Sequence, residues 1–92
     1  MIILPLNETR SIKHHKLDNG MNVITIYDKN TTTSAAAMSV RVGHNNNPEN
    51  IDGLAHYLEH MLFMGSRKYP KENYFFNKLS SNGGSTNAFT SD

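Results

Sequence analysis

Met21 to Tyr27 is rich in Val, Ile and Thr, and Leu17-Asp18-Asn19-Gly20-Met21 sets an Asn-Gly pair just ahead of that run. Asn and Gly tolerate positive φ, so the pattern predicts a β-hairpin. After a polar loop over 28–33, Ala36, Met38, Val40 and Val42 alternate with Ala35, Ala37, Ser39 and Arg41, the period of a half-buried strand. Strands are therefore expected over about 12–42. From 53 to 65 the period changes. Leu54, Ala55, Tyr57, Leu58, Met61, Leu62, Phe63 and Met64 surround almost the whole circumference of a helix, and a helix apolar all round is a buried one. Asp52 is its expected N-cap and Gly65 its expected C′ residue. A second helix is expected over about 70–82, with Pro70 at the first position, Phe75 and Leu79 as an i,i+4 apolar pair, and Asn82-Gly83-Gly84 as the stop. Residues 85–91, with Thr86, Phe89 and Thr90, read as a last strand. Three strands, two helices and a strand give an α+β fold, antiparallel strands packed with helices.

Ninety-two residues make one small domain or part of one. A net charge of +1 gives no electrostatic reason to expect nucleic acid or an anionic membrane surface. With no cysteine, disulfides and thiolate metal sites are excluded, and any metal must use His, Asp or Glu. The N-terminus lacks a basic n-region, and Pro5 breaks its short apolar stretch, so it does not read as a secretory signal. Glu8 and the lack of an Arg-rich amphipathic pattern argue against a mitochondrial presequence, and no apolar run is long enough to span a bilayer. A soluble cytoplasmic protein is expected.

The chemistry concentrates in the first helix, which carries His56-x-x-Glu59-His60. At about 100° per residue the two histidines fall roughly 40° apart, one turn up the same face. Imidazoles so spaced can bind one Zn2+, and a carboxylate beside them can work on its water, whose pKa zinc lowers to about 7. The bland alternative is three ordinary polar residues on a helix, since short motifs match by chance. Burial weighs against it, because three ionisable groups on an apolar helix are costly unless paired or metal-bound. Other candidates are weaker. His14 and His15 are adjacent strand residues pointing to opposite faces, which disfavours a chelate. His44 reads as a surface residue, Asn45-Asn46-Asn47 as a solvated loop, and Arg67, Lys68 and Lys71 as a charged flank. Met61 and Met64 read as core filling.

Residues 53–66, then Lys68-Tyr69-Pro70-Lys71-Glu72-Asn73, then Ser85-Thr86-Asn87-Ala88-Phe89-Thr90, resemble the insulinase (pitrilysin-type) metallopeptidases, the inverzincins. The Tyr-Pro-Lys-Glu-Asn stretch and the Asn-Ala-Phe-Thr strand are more similar to the branch containing insulin-degrading enzymes than to mitochondrial processing peptidases. The Leu-Asp-Asn-Gly-Met hairpin and the Ala-rich strand before Gly43 fit the family's N-terminal region, so the resemblance covers nearly the whole chain. It implies that His56 and His60 are zinc ligands, Glu59 the general base, and Asn87 and Ala88 part of an edge strand pairing with bound peptide.

The resemblance also implies what residues 1–92 lack. The family's third zinc ligand is a Glu on a later helix, expected beyond Asp92, and an Arg and a Tyr reach the substrate from its C-terminal half. A frequent Thr after the motif helix's Gly is Ser66 here. The reading is the N-terminal portion of one insulinase-type peptidase domain, from a zinc endopeptidase that hydrolyses peptides through a metal-activated water, and inactive as an isolated chain. Its partners would be peptide substrates, the remainder of its own polypeptide and, for the fragment, further copies of itself. Two alternatives stand beside it: a non-catalytic homologue serving as a scaffold subunit, and a mitochondrial processing peptidase β-type subunit.

Overall fold

The hairpin forms where the Val, Ile and Thr run meets its turn. In the computed structural model, which describes residues 1–92, β1 (Ser11–Lys16) pairs antiparallel with β2 (Asn22–Tyr27), in a register running from Ser11 opposite Tyr27 to Lys16 opposite Asn22. The connection is longer than a two-residue Asn-Gly turn. Gly20 N–H donates to the Leu17 carbonyl at 2.9 Å, and Leu17 N–H donates to the Met21 carbonyl at 2.9 Å. Only Gly20 takes the left-handed conformation, at φ 85°, while Asn19 uses its side-chain oxygen to accept from Met21 N–H at 3.0 Å. Ile12 stands directly across from Ile26, and His14 and His15 point to opposite faces, His14 Nε2 lying 3.0 Å from Asn22 Oδ1 and His15 Nε2 3.3 Å from Thr25 Oγ1.

The alternating run at 35–42 forms no strand. Alternation selects a face, but a strand exists only when a neighbour takes up its main-chain hydrogen bonds, and none does here. Met38, Val40 and Val42 are accordingly exposed. The last strand expected at 85–91 also has no ladder. By its contacts the chain falls into two units, Met1–Met38 with the hairpin and Ser39–Asp92 with the helices.

In the second unit a short 3-10 turn, His44–Asn46, leads to α1 (Leu54–Met61), and α2 (Tyr74–Ser81) follows. Both helices are shorter than their apolar patterns. The N-cap of α1 is Gly53, at φ 80°, not Asp52, and Gly53 has no side chain with which to cap. The orphan Ala55 N–H donates instead to Asn47 Oδ1 at 3.0 Å. Asn46 Oδ1 likewise accepts from Gly43 N–H at 3.0 Å, so the Asn run, with Asn45 and Asn46 exposed to solvent as expected, also ties its own connector together. At its other end α1 finishes at Met61 with Leu62 as C-cap, three residues before Gly65. Pro70 lies ahead of α2, whose N-cap is Asn73.

Asn82-Gly83-Gly84 closes α2 in a Schellman arrangement: Gly84 N–H reaches the Leu79 carbonyl at 2.9 Å, Gly83 N–H reaches the Ser80 carbonyl at 3.0 Å, and Gly83 is left-handed at φ 74°. The segment just after α1 reaches α2 through aromatics, Phe63 stacking on Phe76 with ring centroids 5.3 Å apart and lying 5.7 Å from Phe75.

No hydrophobic residue is buried, and Gly43 is the one buried residue of the chain. The expectation of a buried motif helix is therefore corrected. Leu58 is 57% exposed, Leu62 69%, and Met61 and Met64 are exposed as well and do not fill a core. An all-round apolar circumference records that a helix is suited to burial; nothing within these 92 residues covers it. No helix is long and apolar enough to cross a membrane.

Candidate functional site

One turn of α1 brings His56 and His60 onto the same face, and their Nε2 atoms converge to 2.8 Å with ring centroids 4.6 Å apart. At that distance one ring nitrogen can donate to the other, the roles depending on the tautomer. Neutral imidazole Nε2 is also a common zinc donor. The pair has the donor type that a zinc ion takes, its nitrogens standing closer than the roughly 3.3 Å that two Zn–N bonds at a tetrahedral angle set, and it is only a pair: no cluster of three or more His, Asp, Glu or Cys side chains suited to a metal exists in these residues. Both histidines are exposed because α1 itself is uncovered, and of the interior or cleft position expected for the motif residues it is a cleft that Glu59 and His60 line.

Glu59 is half-buried, and its Oε2 accepts a hydrogen bond at 2.8 Å from Thr90 Oγ1, 31 positions away in sequence. Glu59 and His60 line an open cleft of about 160 Å³, walled by Phe63, Phe76, Thr86, Asn87 and Ala88. The structure thus brings Asn87 and Ala88 beside Glu59 and His60. Main-chain groups of residues 85–90 make no backbone hydrogen bond within the chain, whereas the next carbonyl, Ser91 O, accepts from His44 N–H at 2.8 Å. A larger hollow of about 330 Å³ lies on the hairpin among Ser11, Lys13, Thr25, Ile26 and Tyr27, and it holds no histidine or carboxylate to serve as a metal ligand.

Two neighbours of the site were invisible to spacing arguments. The sequence places Thr90 only within an expected strand, whereas its hydroxyl reaches the Glu59 carboxylate. His44, read as a surface residue, is exposed but stands edge-on to His56 with centroids 6.2 Å apart. Both contacts join segments distant in sequence, and no local period encodes them. A threonine three residues beyond Asn87 in the cleft-lining segment was the only available signal for Thr90.

The family model for insulinase, peptidase family M16, matches residues 22–92. The chain is 53% identical over 85 residues to an insulin-degrading enzyme of Drosophila melanogaster, covering 92% of this chain and 9% of that protein. It is 48% identical over 84 residues to the insulin-degrading enzyme of Homo sapiens, covering 91% of this chain and 8% of the relative. A Caenorhabditis elegans relative named as a zinc protease is 42% identical over 89 residues, 97% of this chain and 10% of its own length. The chain spans about a tenth, or less, of the relatives it matches. With most of its length inside the family model and identities well above the level of chance, this chain belongs to the insulinase family of peptidases.

Proposed function

We propose that the protein carrying this chain is a zinc-dependent endopeptidase, with His56 and His60 as metal ligands and Glu59 as the general base. The observation that carries the reading is the convergence of the two Nε2 atoms at 2.8 Å beside a half-buried carboxylate at the edge of a cleft. Zinc, when bound, acidifies water and polarises a carbonyl, and it needs three protein ligands with one open position. Two ligands come from α1, and the third is a Glu beyond Asp92. Glu59 takes the proton of the attacking water and passes it to the leaving nitrogen as the peptide bond breaks. Asn87 and Ala88 lie on a segment whose main-chain groups are open to an added strand, so backbone pairing holds the peptide and side-chain pockets select it. Residues 1–92 form the N-terminal portion of one insulinase-type domain, and the protein acts in the cytoplasm.

Glu59→Gln in the full-length protein tests this. The amide keeps the shape of the side chain and removes the base, so zinc content should stay at the wild-type level while peptide hydrolysis falls by at least about 100-fold. Hydrolysis at the wild-type rate in the variant sinks Glu59 as the base. A wild-type protein that binds zinc but cleaves no peptide points to the non-catalytic scaffold subunit instead. Cleavage confined to Arg-rich presequences points to the mitochondrial processing role.

A further inference from the structure

Glu59 has one side-chain hydrogen-bond partner, the Thr90 hydroxyl, and no ion pair. We propose that Thr90 is a positioning residue for Glu59, held in place by Gly43 and His44; the proposal rests on the peptidase reading above. The terminal torsion of a glutamate is broad and nearly two-fold, so an unpartnered carboxylate presents either oxygen in many orientations. A donor fixed on Oε2 removes that freedom and leaves Oε1 as the oxygen facing a water. Thr suits the task because its β-branch restricts χ1, so the hydroxyl direction follows from the backbone.

That backbone is itself pinned. Immediately after Thr90 the Ser91 carbonyl accepts from His44 N–H at 2.8 Å. Gly43, buried and extended at φ −148°, is needed there for space and not for its dihedral angle: any Cβ would overlap the Ser91 carbonyl oxygen. The loop leading to α1 thus fixes the segment that follows Ala88, and that segment orients the carboxylate on α1. Thr86, Asn87 and Ala88 wall the cleft just upstream, so one stretch of chain both lines the peptide site and aims the base.

The test uses full-length wild type, Thr90→Val and Thr90→Ser, with Thr90→Ala replacing the Val variant if that one does not fold. Zinc per chain is measured by metal analysis, and kcat and KM on a peptide that the wild type cleaves. Expected for Thr90→Val are wild-type zinc, KM within about twofold and kcat down roughly 10- to 100-fold, the size of effect typical of lost supporting hydrogen bonds. Thr90→Ser, which keeps the donor, should return kcat to within about threefold of wild type, and Thr90→Val should cost nothing further when Glu59 is already Gln. Unchanged kcat in Thr90→Val overturns the proposal, as does a loss carried by KM or zinc content, or one that Ser fails to restore. If the wild type cleaves no peptide, the peptidase reading falls, and the proposal with it.

Discussion

Glu8 shows how far two neighbouring residues can shift chemistry without any core. Arg10 meets it three times, with Nε on Oε1 at 2.7 Å, Nη2 on Oε2 at 2.8 Å and its backbone N–H on Oε1 at 2.9 Å. The side-chain hydrogen bonds from Arg10, and then its backbone N–H, pull the Glu8 carboxyl down from 4.5 to about 2, and the same pairing raises Arg10. A carboxyl depressed on folding contributes stability that is complete above its unfolded value and lost as pH falls through the folded one. The Glu8–Arg10 pairing should therefore survive acidification below pH 4.5 and break only as the pH approaches about 2. A carboxylate NMR titration of Glu8 reads this directly, and Arg10→Ala, which removes the side-chain bonds but keeps the backbone N–H, should raise the midpoint part of the way back towards 4.5. A wild-type midpoint near the ordinary value means that the pair does not form in solution. At this scale the sequence made His56, Glu59 and His60 legible, because one helical period relates them. It left Thr90 and His44 silent, because their contacts to Glu59 and His56 depend on where loops return.

Among elements, periodicity located both helices and the hairpin, yet the helix ends depended on groups outside the repeat. The first turn of α1 is satisfied by Asn47, eight residues before Ala55, a capping distance that no local motif describes. Asn47→Ala should cost about 1 kcal/mol, as for a lost N-cap, and should speed amide exchange at Ala55 in the full-length protein. Unchanged exchange at Ala55 argues against the cap. The stop of α2 was legible, since Gly83 occupies the left-handed position that the sequence offers it. In the full-length protein Gly83→Ala should lower stability by roughly 1 kcal/mol, read as a lower thermal midpoint. The strand expectations rested on alternation at 35–42 and on strand-forming residues at 85–91, and neither segment has a partner, without which there is no strand.

At the scale of the whole molecule, the missing core governs behaviour. A two-stranded hairpin is marginal by itself, and eight-residue helices are too short to persist in water without packing. Here Leu58, Leu62 and Phe89 remain open to solvent, Phe89 at 85%. The isolated 92-residue chain should accordingly melt without a cooperative transition by circular dichroism and should associate with itself at micromolar concentration in a sedimentation experiment. A sharp two-state transition in a monomer contradicts this. Zinc should bind that chain weakly through its two imidazoles, and a His60→Ala control should abolish the binding in a chelator competition. Tight binding would require a third donor, from within the chain or from a second copy.

The sequence by itself determined the residues able to do chemistry and the local conformations that carry them. A helical period, an Asn-Gly pair and a Gly-Gly stop are written in neighbouring positions, and their energetics are local. It also determined the family, through residues spread over nearly the whole chain. Only the tertiary structure decided which oxygen of Glu59 is held, which asparagine caps α1, and how Asn87 and Ala88 come to lie beside His60. Those outcomes depend on contacts such as Ser91 against Gly43, where steric room and one hydrogen bond between distant segments, rather than any repeat along the chain, select the arrangement.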